Sequence, residues 1–431
     1  MATETKLSLP TAILISLNIM MGGGIFINTV ELAKRAGALS GFMYPLIGLL
    51  IAPLMLSIAA LIRLHPAGGF YVFGQKEINP FVGYLSTWSY FVAKLASASL
   101  MIHVAVSLIT QIFPGLLNFG SLLFYDLLVV TFFIVLNTLN MRTGSRIQFG
   151  FLGFKLIPVL FVIAAGLFYF APTHAHTFVN LWEGIPSSLP LVLYAAMGFE
   201  AICALSSKIE NPEKNGPRSI TISFLTMMLL VFLFQFLFYA TLGNTLAEQN
   251  TFLDAFPALL NYIMPGMPYF AHALQIFFNL AIAISALGGC YGILYSNNWN
   301  LHILAQHKKI SGYNWLSQLN SHGIPVACLF IEWLLCVGFL YFCAGKQVVL
   351  QQMAALGTAL TYCVCVIALL RAYKRSQKPF SKMLIPYVAL LSCSVLIGAC
   401  IRNFYFGGIY PLFGFILLLL AGLLLYRKSK G

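Results

Sequence analysis

The sequence has very little charge. Asp, Glu, Lys and Arg make up only 8% of its 431 residues, and 11 residues are acidic, whereas an ordinary soluble domain is about 25% charged. Hydrophobic residues reach 60% and aromatic residues 14%. A soluble protein of this length needs more polar groups to cover its surface. The composition therefore indicates an integral membrane protein.

The chain also lacks the patterns of a disulfide framework, a metal site or a catalytic site. Its nine cysteines lie in apolar runs or at their edges, and the spacing of Cys363 and Cys365 suits neither zinc nor a thioredoxin-type motif. They are interpreted as small buried hydrophobes. We expect no metal and no cofactor, and without a nucleophile–base pair we expect no enzyme. The absence of an N-x-[ST] sequon favours a bacterial source.

Long apolar runs fill most of the chain. Each run has about 18 to 30 residues, which is enough to cross a bilayer as a helix. The start "MATETKLSLP" has no small-x-small cleavage site, so we interpret the first run as a span and not as a signal peptide. The sequence predicts twelve spans, near 8–30, 41–62, 82–112, 122–140, 148–170, 187–206, 219–243, 270–300, 324–343, 350–370, 384–401 and 409–426.

The basic residues support this count. Cytoplasmic segments of membrane proteins carry an excess of Lys and Arg, and eighteen of the 24 fall in one alternate set of connections. The opposite set holds four: Lys34, Arg35, Lys346 and Arg402. The partition predicts that both termini are cytoplasmic, and it explains the net charge of +13 without a nucleic-acid partner. The eighteen are Lys6, Arg63, Lys76, Arg142, Arg146, Lys208, Lys214, Arg218, Lys308, Lys309, Arg371, Lys374, Arg375, Lys378, Lys382, Arg427, Lys428 and Lys430.

A few ionisable residues lie inside the predicted spans, where such groups are costly and usually functional. Glu200, in "YAAMGFEAICAL", must be paired, hydrated or protonated; it either gates or handles protons, or it caps broken backbone near Gly198. Lys155, in "FLGFKLIPVLF", either takes part in coupling or snorkels toward Arg146. Because a buried ammonium can release its proton, we favour coupling.

Three further ionisable side chains lie in the predicted spans. Lys94 and Glu332 either line the bundle interior or snorkel to the interface, and the sequence leaves both interpretations open. His103, in "LMIHVAVSL", is interpreted as a hydrogen-bonded packing residue.

Two spans carry glycines at mid-depth. "NIMMGGGIFIN" places Gly22, Gly23 and Gly24 in the first span, and "AAMGFEA" places Gly198 in the sixth. Glycine weakens a helix by about 1 kcal/mol relative to alanine, and irregular backbone survives in a membrane only where it lines a cavity or is packed in protein. Glycines also permit close helix packing, but a second site five spans later favours two broken helices in an inverted repeat.

Two broken helices predict the chemistry of a ligand. Free N–H groups at the start of one half-helix attract a carboxylate, and free carbonyls at the end of another suit a cation. Together they fit a zwitterion, of which an amino acid is the simplest.

Several motifs resemble the amino acid–polyamine–organocation superfamily. "MGGGIF" (21–26) is similar to its first-helix motif, and "GFEA" (198–201) with "NPEKNGPR" (211–218) is similar to its sixth-helix signature and following loop. "PAGGFYVFGQKEINPFVGYLSTW" (66–88) looks like the segment after its second helix. The resemblance implies an all-α membrane fold of one domain over 1–431. Its five-plus-five inverted repeats would cover about 8–170 and 187–370, and two extra helices would follow at about 384–426.

The resemblance also implies roles for individual residues. The N–H groups of Gly22, Gly23 and Gly24 would bind an α-carboxylate, and carbonyls of Met20, Tyr194 and Met197 would receive the α-amine. Ile25 and Gly198 belong to the same expected substrate site, and Tyr194 stands where relatives often place an aromatic gate. Lys155 matches the fifth-helix lysine that replaces the sodium site in sodium-independent members, and Glu200 is the second expected coupling or gating residue. "NIMMGGG" has one more residue before the glycines than the arginine–agmatine antiporters' "NIMGSG", which bears against arginine specificity.

The expected function is secondary amino-acid transport by alternating access, independent of sodium and coupled to protons or to exchange. The partners are an amino acid, a proton or counter-substrate, and the lipid bilayer, and the location is a bacterial inner membrane. A polyamine or amine exchanger, and a sensor that keeps the transport fold without flux, remain alternatives. The side-chain selectivity and the oligomeric state are left open.

Overall fold

The structure is a computed structural model that describes residues 6–66, 68–139, 141–171, 181–343 and 346–427. Helices make up nearly all of it, and two isolated bridges, Leu7 with Ile209 and Ile310 with Tyr426, are the β-type pairings of the described part. The helices are α1 Leu9–Met20, α2 Gly24–Ala36, α3 Met43–Leu64, α4 Phe70–Glu77, α5 Pro80–Ile112, α6 Leu122–Asn137, α7 Met141–Phe168, α8 Leu181–Ala196, α9 Ile202–Leu205, α10 Pro212–Leu242, α11 Asn244–Glu248, α12 Ala255–Ile263, α13 Pro268–Gln306, α14 Tyr313–Leu316, α15 Val326–Cys343, α16 Gln347–Arg375, α17 Phe380–Gly407 and α18 Tyr410–Leu425.

Eight helices of the described part are long and apolar enough to cross a membrane: α3, α5, α7, α10, α13, α15, α16 and α17. Two bent pairs raise the number to ten if each pair is one span. Helices α6 and α18 have 16 residues each, or about 24 Å at 1.5 Å per residue, against a hydrocarbon core of about 30 Å. The all-α membrane fold is confirmed, and the count of twelve spans stays a prediction.

Both bent pairs lie where the glycines predicted broken helices. The first span consists of Leu9–Met20 and Gly24–Leu39, which meet at 45°. The sixth consists of Glu183–Ala196 and Phe199–Lys208, which meet at 43°. Neither break contains a proline. Gly198 in the second break has a positive φ, whereas the glycines of the first break are in close contact with neighbouring spans.

Helix packing repeats between the two halves of the chain. The third span (α5) packs against the tenth (α16), and five spans later the eighth (α13) packs against the fifth (α7). Likewise α1 packs against α10 while α8 packs against α3, and α5 packs against α15 while α13 packs against α6. Each of these contacts between two spans thus has a counterpart between the spans five positions further along or back, as an inverted repeat requires. The repeat boundaries given above stay predictions.

The last two helices lie outside this arrangement. Helix α17 packs against α16, α3 and α8, and α18 packs against α5. Trp88 Nε1 donates to the carbonyl of Leu418 at 3.1 Å, and Tyr84 Oη donates to the carbonyl of Gly422 at 2.6 Å. A Cβ at Gly422 would overlap the Trp88 indole, so glycine is required for this contact. The residues after the tenth span therefore form an outer layer.

The segment between the second and third spans forms the short helix α4. It ends at Glu77, whose carboxylate accepts from His65 Nε2 at 2.8 Å and pairs with Arg375 Nη2 at 2.8 Å. His65 follows α3 and Arg375 ends α16, so Glu77 joins three elements at one end of the bundle.

Candidate functional site

The first helix break leaves backbone donors without partners. Helix α1 ends at Met20 and α2 begins at Gly24. The N–H groups of Phe26 and Ile27 bond to the carbonyl of Gly23 at 3.1 and 2.9 Å, whereas those from Gly22 to Ile25 find no acceptor among the described residues. Free donors at the positive end of a half-helix are an arrangement that attracts an anion.

Close contacts explain why this break consists of glycines. A Cβ at Gly22 would overlap the Met101 side chain, and one at Gly24 would lie 3.1 Å from the Tyr194 ring. On the eighth span, a Cβ at Gly289 would lie 2.9 Å from the Gly22 Cα. The break is therefore in contact with the third, sixth and eighth spans, and a side chain at these positions would separate them.

The second break is fixed by Gly198 and Glu200. Gly198 has a φ of +126°, which only glycine adopts without strain, and its N–H donates to Glu200 Oε2 at 2.8 Å. A Cβ at Gly198 would lie 2.9 Å from the backbone nitrogen of Met20. Glu200 thus caps the broken backbone, and Gly198 brings the two broken spans into contact.

The other oxygen of Glu200 is bound from the third span. Lys94 Nζ lies 2.8 Å from Glu200 Oε1, and Tyr90 Oη donates to the same oxygen at 2.9 Å. The Lys94 side chain is 4% exposed and that of Glu200 is 0% exposed. The structure therefore places Lys94 in the bundle interior, where its charge balances that of Glu200.

Lys155 of α7 contacts the C-terminal end of α1 and does not reach the membrane interface. It is fully buried, and its Nζ donates to the carbonyl of Asn18 at 2.5 Å. The Asn18 side chain donates to the carbonyl of Gly288 at 3.0 Å and to Gln148 Oε1 at 3.4 Å. A Cβ at Gly288 would lie 2.9 Å from Lys155 Cε, so this glycine makes room for the lysine. The snorkelling interpretation is wrong.

A narrow cavity of about 10 Å³ lies between the two breaks. It has room for about one water molecule. Ser97 Oγ and Tyr194 Oη are 3.1 Å apart across it. Its walls combine backbone and apolar side chains with the Lys94 side chain, and they consist of Ile19, Met20, Gly24, Lys94, Ser97, Met101, Tyr194, Met197 and Ile293.

Contacts close this cavity toward both ends of the bundle. Toward one end, Asn28 donates to the carbonyl of Leu191 at 2.7 Å and accepts from Gln351 Nε2 at 2.7 Å, which joins α2, α8 and α16. Toward the other, Leu7 precedes α1 and bonds to the end of the sixth span and the residues after it. Its N–H donates to Lys208 O at 2.7 Å and its carbonyl accepts from Glu210 N at 3.0 Å. The cavity is therefore bounded toward both ends by contacts between spans.

Comparison with known proteins agrees with this geometry. The sequence pattern of the family described as "Amino acid permease" matches residues 7–425. The chain belongs to the amino acid permease family. An uncharacterized amino acid permease of Bacillus subtilis, YtnA, is 24% identical over 395 residues, which cover 87% of this chain and 82% of the relative. The aromatic amino acid transport protein AroP of Salmonella typhimurium is 24% identical over 336 residues, or 74% of this chain and 70% of that protein.

The predicted substrate residues of this permease come together, although their roles stay predictions. Met20, Gly24, Tyr194 and Met197 line the cavity. Gly22, Gly23, Ile25 and Gly198 lie in or beside the two breaks. Lys155 and Glu200 lie behind the cavity walls, each bound to one broken span.

Sequence reasoning missed several residues of the site. Ser97 and Met101 follow Lys94 on the inner face of α5, and small residues in "LGGCYGIL" allow the eighth span to approach the first break. Asn28 gave no signal apart from being an amide in an apolar helix. The helical spacing of Lys94, Ser97 and Met101 (i, i+3, i+7) was the available signal, since these positions share one face.

The other two ionisable side chains of the predicted spans also lie inside the bundle. His103 Nδ1 lies 2.8 Å from Asp126 Oδ2, between α5 and α6, as expected for a hydrogen-bonded packing residue. Glu332 on α15 is fully buried beside Asn297, so it faces the interior and does not snorkel.

Proposed function

We propose that this chain is a secondary amino-acid transporter that works by alternating access, independent of sodium and coupled to protons or to exchange. One observation supports it above all: Gly24, which belongs to the run of free N–H groups from Gly22 to Ile25, lines the same cavity as Tyr194 and Met197 at the broken end of α8. In this proposal those donors bind the α-carboxylate, and carbonyls of Met20, Tyr194 and Met197 receive the α-amine.

Sodium independence is supported by Lys155. In transporters with broken helices, carbonyls at the unwound segments coordinate a sodium ion. Here the Lys155 ammonium bonds to the carbonyl of Asn18, in the last turn of α1. The protonated ammonium at this place makes a metal cation unfavourable, and loss and gain of its proton would supply the coupling.

The charge balance around the cavity favours an amino acid with an uncharged side chain. A polyamine needs an unpaired carboxylate, and Glu200 is the acidic group nearest to the breaks. Its charge is balanced by Lys94, which also lines the cavity. A cationic side chain would therefore meet an ammonium and no free acid, which bears against the polyamine alternative.

The cell location completes the proposal. The protein is a multi-pass membrane protein with bacterial relatives, and we place it in a bacterial inner membrane. The distribution of Lys and Arg puts both termini in the cytoplasm.

Counterflow into proteoliposomes tests the transport proposal. Vesicles loaded with one unlabelled amino acid are expected to accumulate the labelled form above empty vesicles, equally in sodium and choline buffers. A neutral panel should be transported, whereas putrescine, lysine and arginine should not. Saturable binding without flux would instead identify a sensor. A strict requirement for sodium would contradict the role of Lys155.

A further inference from the structure

A second opening in the bundle combines unpaired cations with an apolar wall. It is a groove of about 360 Å³ where α3, α10, α16 and α17 meet, which is within the usual range for ligand pockets, about 300–1,000 Å³. Thirteen residues line it: Leu56, Ala59, Ala60, Arg63, Pro217, Arg218, Thr221, Ile222, Leu369, Tyr373, Lys382, Ile385 and Pro386.

The charged lining residues are all cations. Arg63, Arg218 and Lys382 are exposed, and they form no ion pair within the part of the chain that the structure describes. No lining residue is acidic. Three positive groups from three different helices thus face one opening without a protein counter-charge.

The position of the cations fits a lipid headgroup. Arg63 is the next-to-last residue of α3, Arg218 is in the second turn of α10, and Lys382 is in the first turn of α17. These helix ends belong to the side that the Lys and Arg distribution assigns to the cytoplasm. They lie where the phosphates of the inner leaflet are expected.

The apolar part of the groove extends from these cations toward the bilayer core. Leu56, Ala59, Ala60 and Arg63 follow each other at helical spacing along one face of α3. Leu56 is 41% exposed, and Ile222 and Ile385 are 42% exposed each, on the lipid-facing surface of the bundle. A lipid with its headgroup at Arg63 would therefore have an acyl chain alongside Leu56.

We propose that this groove binds an anionic phospholipid of the inner leaflet. The phosphodiester would contact Arg63, Arg218 and Lys382, and one acyl chain would pack between α3, α10 and α17. Basic pockets between spans on the cytoplasmic side are suited to such headgroups. Because the groove contacts the second, seventh, tenth and eleventh spans, the lipid would join the outer layer to both halves of the bundle.

Native mass spectrometry of the full-length purified protein tests the site. The probes are dioleoyl phosphatidylglycerol, dioleoyl phosphatidylcholine and inorganic phosphate. Phosphatidylglycerol should remain bound at detergent concentrations that remove phosphatidylcholine. Each of Arg63→Gln, Arg218→Gln and Lys382→Gln should weaken retention about fivefold, as one charge near an anionic surface implies. The charge-matched controls are the single variants Lys308→Gln, Lys374→Gln and Lys378→Gln, which lie outside the groove and should change nothing.

A second variant keeps the test independent of charge and of folding. Ala60→Phe fills the groove with no change in charge and should reduce phosphatidylglycerol retention, whereas Gly398→Phe, on the open surface of α17, should not. Equal retention of both lipids, or wild-type retention by the three glutamine variants and by Ala60→Phe, would overturn the proposal. Displacement of the lipid by inorganic phosphate would also overturn it, because the site would then recognise free phosphate.

Discussion

Removing Lys94 and Glu200 together is expected to destabilise the protein by less than the sum of the two separate losses. The two charged atoms are 2.8 Å apart, and the side chains are 4% and 0% exposed. Lys94→Met leaves the carboxylate without a counter-charge, and Glu200→Gln leaves the ammonium without one. Breaking a buried pair in this way costs about 3–5 kcal/mol in the free energy of unfolding.

The double variant Lys94→Met with Glu200→Gln removes both charges together. The amide oxygen can still accept from the Gly198 N–H, so the cap on the broken helix survives. We expect its loss in the free energy of unfolding to fall below the sum of the two single losses by a coupling energy of about 2–3 kcal/mol. Equilibrium unfolding in mixed micelles measures all four proteins, and salt should have little effect because buried pairs are weakly screened.

An exposed pair provides the matched control. Glu31 and Arg35 lie 3.1 Å apart, with side chains 37% and 24% exposed. Glu31→Gln should cost at most about 1 kcal/mol. If the losses of the two buried variants add within about 0.5 kcal/mol, or if Glu31→Gln is equally damaging, the buried pair does not stabilise the breaks as described.

The remaining predictions concern coupling, close packing and closure. Lys155→Ala should abolish amino-acid counterflow while the protein still folds, because the carbonyl at the end of α1 loses its positive partner; wild-type flux and pH dependence would contradict this. Gly289→Ala should lower the free energy of unfolding by about 1–3 kcal/mol, because the added Cβ overlaps Gly22. Gly398→Ala, with open space around it, should be neutral or stabilise by up to about 1 kcal/mol. Equal unfolding midpoints of the two variants would contradict the packing argument. Asn28→Ala removes two hydrogen bonds of 2.7 Å, each worth about 1 kcal/mol. It should therefore speed amide hydrogen exchange in α2. Unchanged exchange would show that these bonds do not hold the cavity closed.

The positions of the helix breaks were predictable because glycine weakens a helix locally. A glycine at mid-depth weakens the helix wherever it occurs, and Gly198 has the positive φ that other residues avoid. The five-span separation of the two breaks was also readable, since an odd number of spans reverses the direction of the helix. The apolar runs and the Lys and Arg distribution then supplied the membrane class.

The sequence by itself determined the membrane class and the broken spans, because these depend on composition and on local backbone freedom, and the zwitterion chemistry stays a prediction from the broken spans. Only the tertiary structure decided that Lys94 neutralises Glu200, that Lys155 bonds to Asn18, and that Asn28 joins three helices. The partners in these contacts are 106, 137 and up to 323 residues apart. A buried charge is costly until a partner is present, and the partner is chosen by how the helices pack, which no local pattern records.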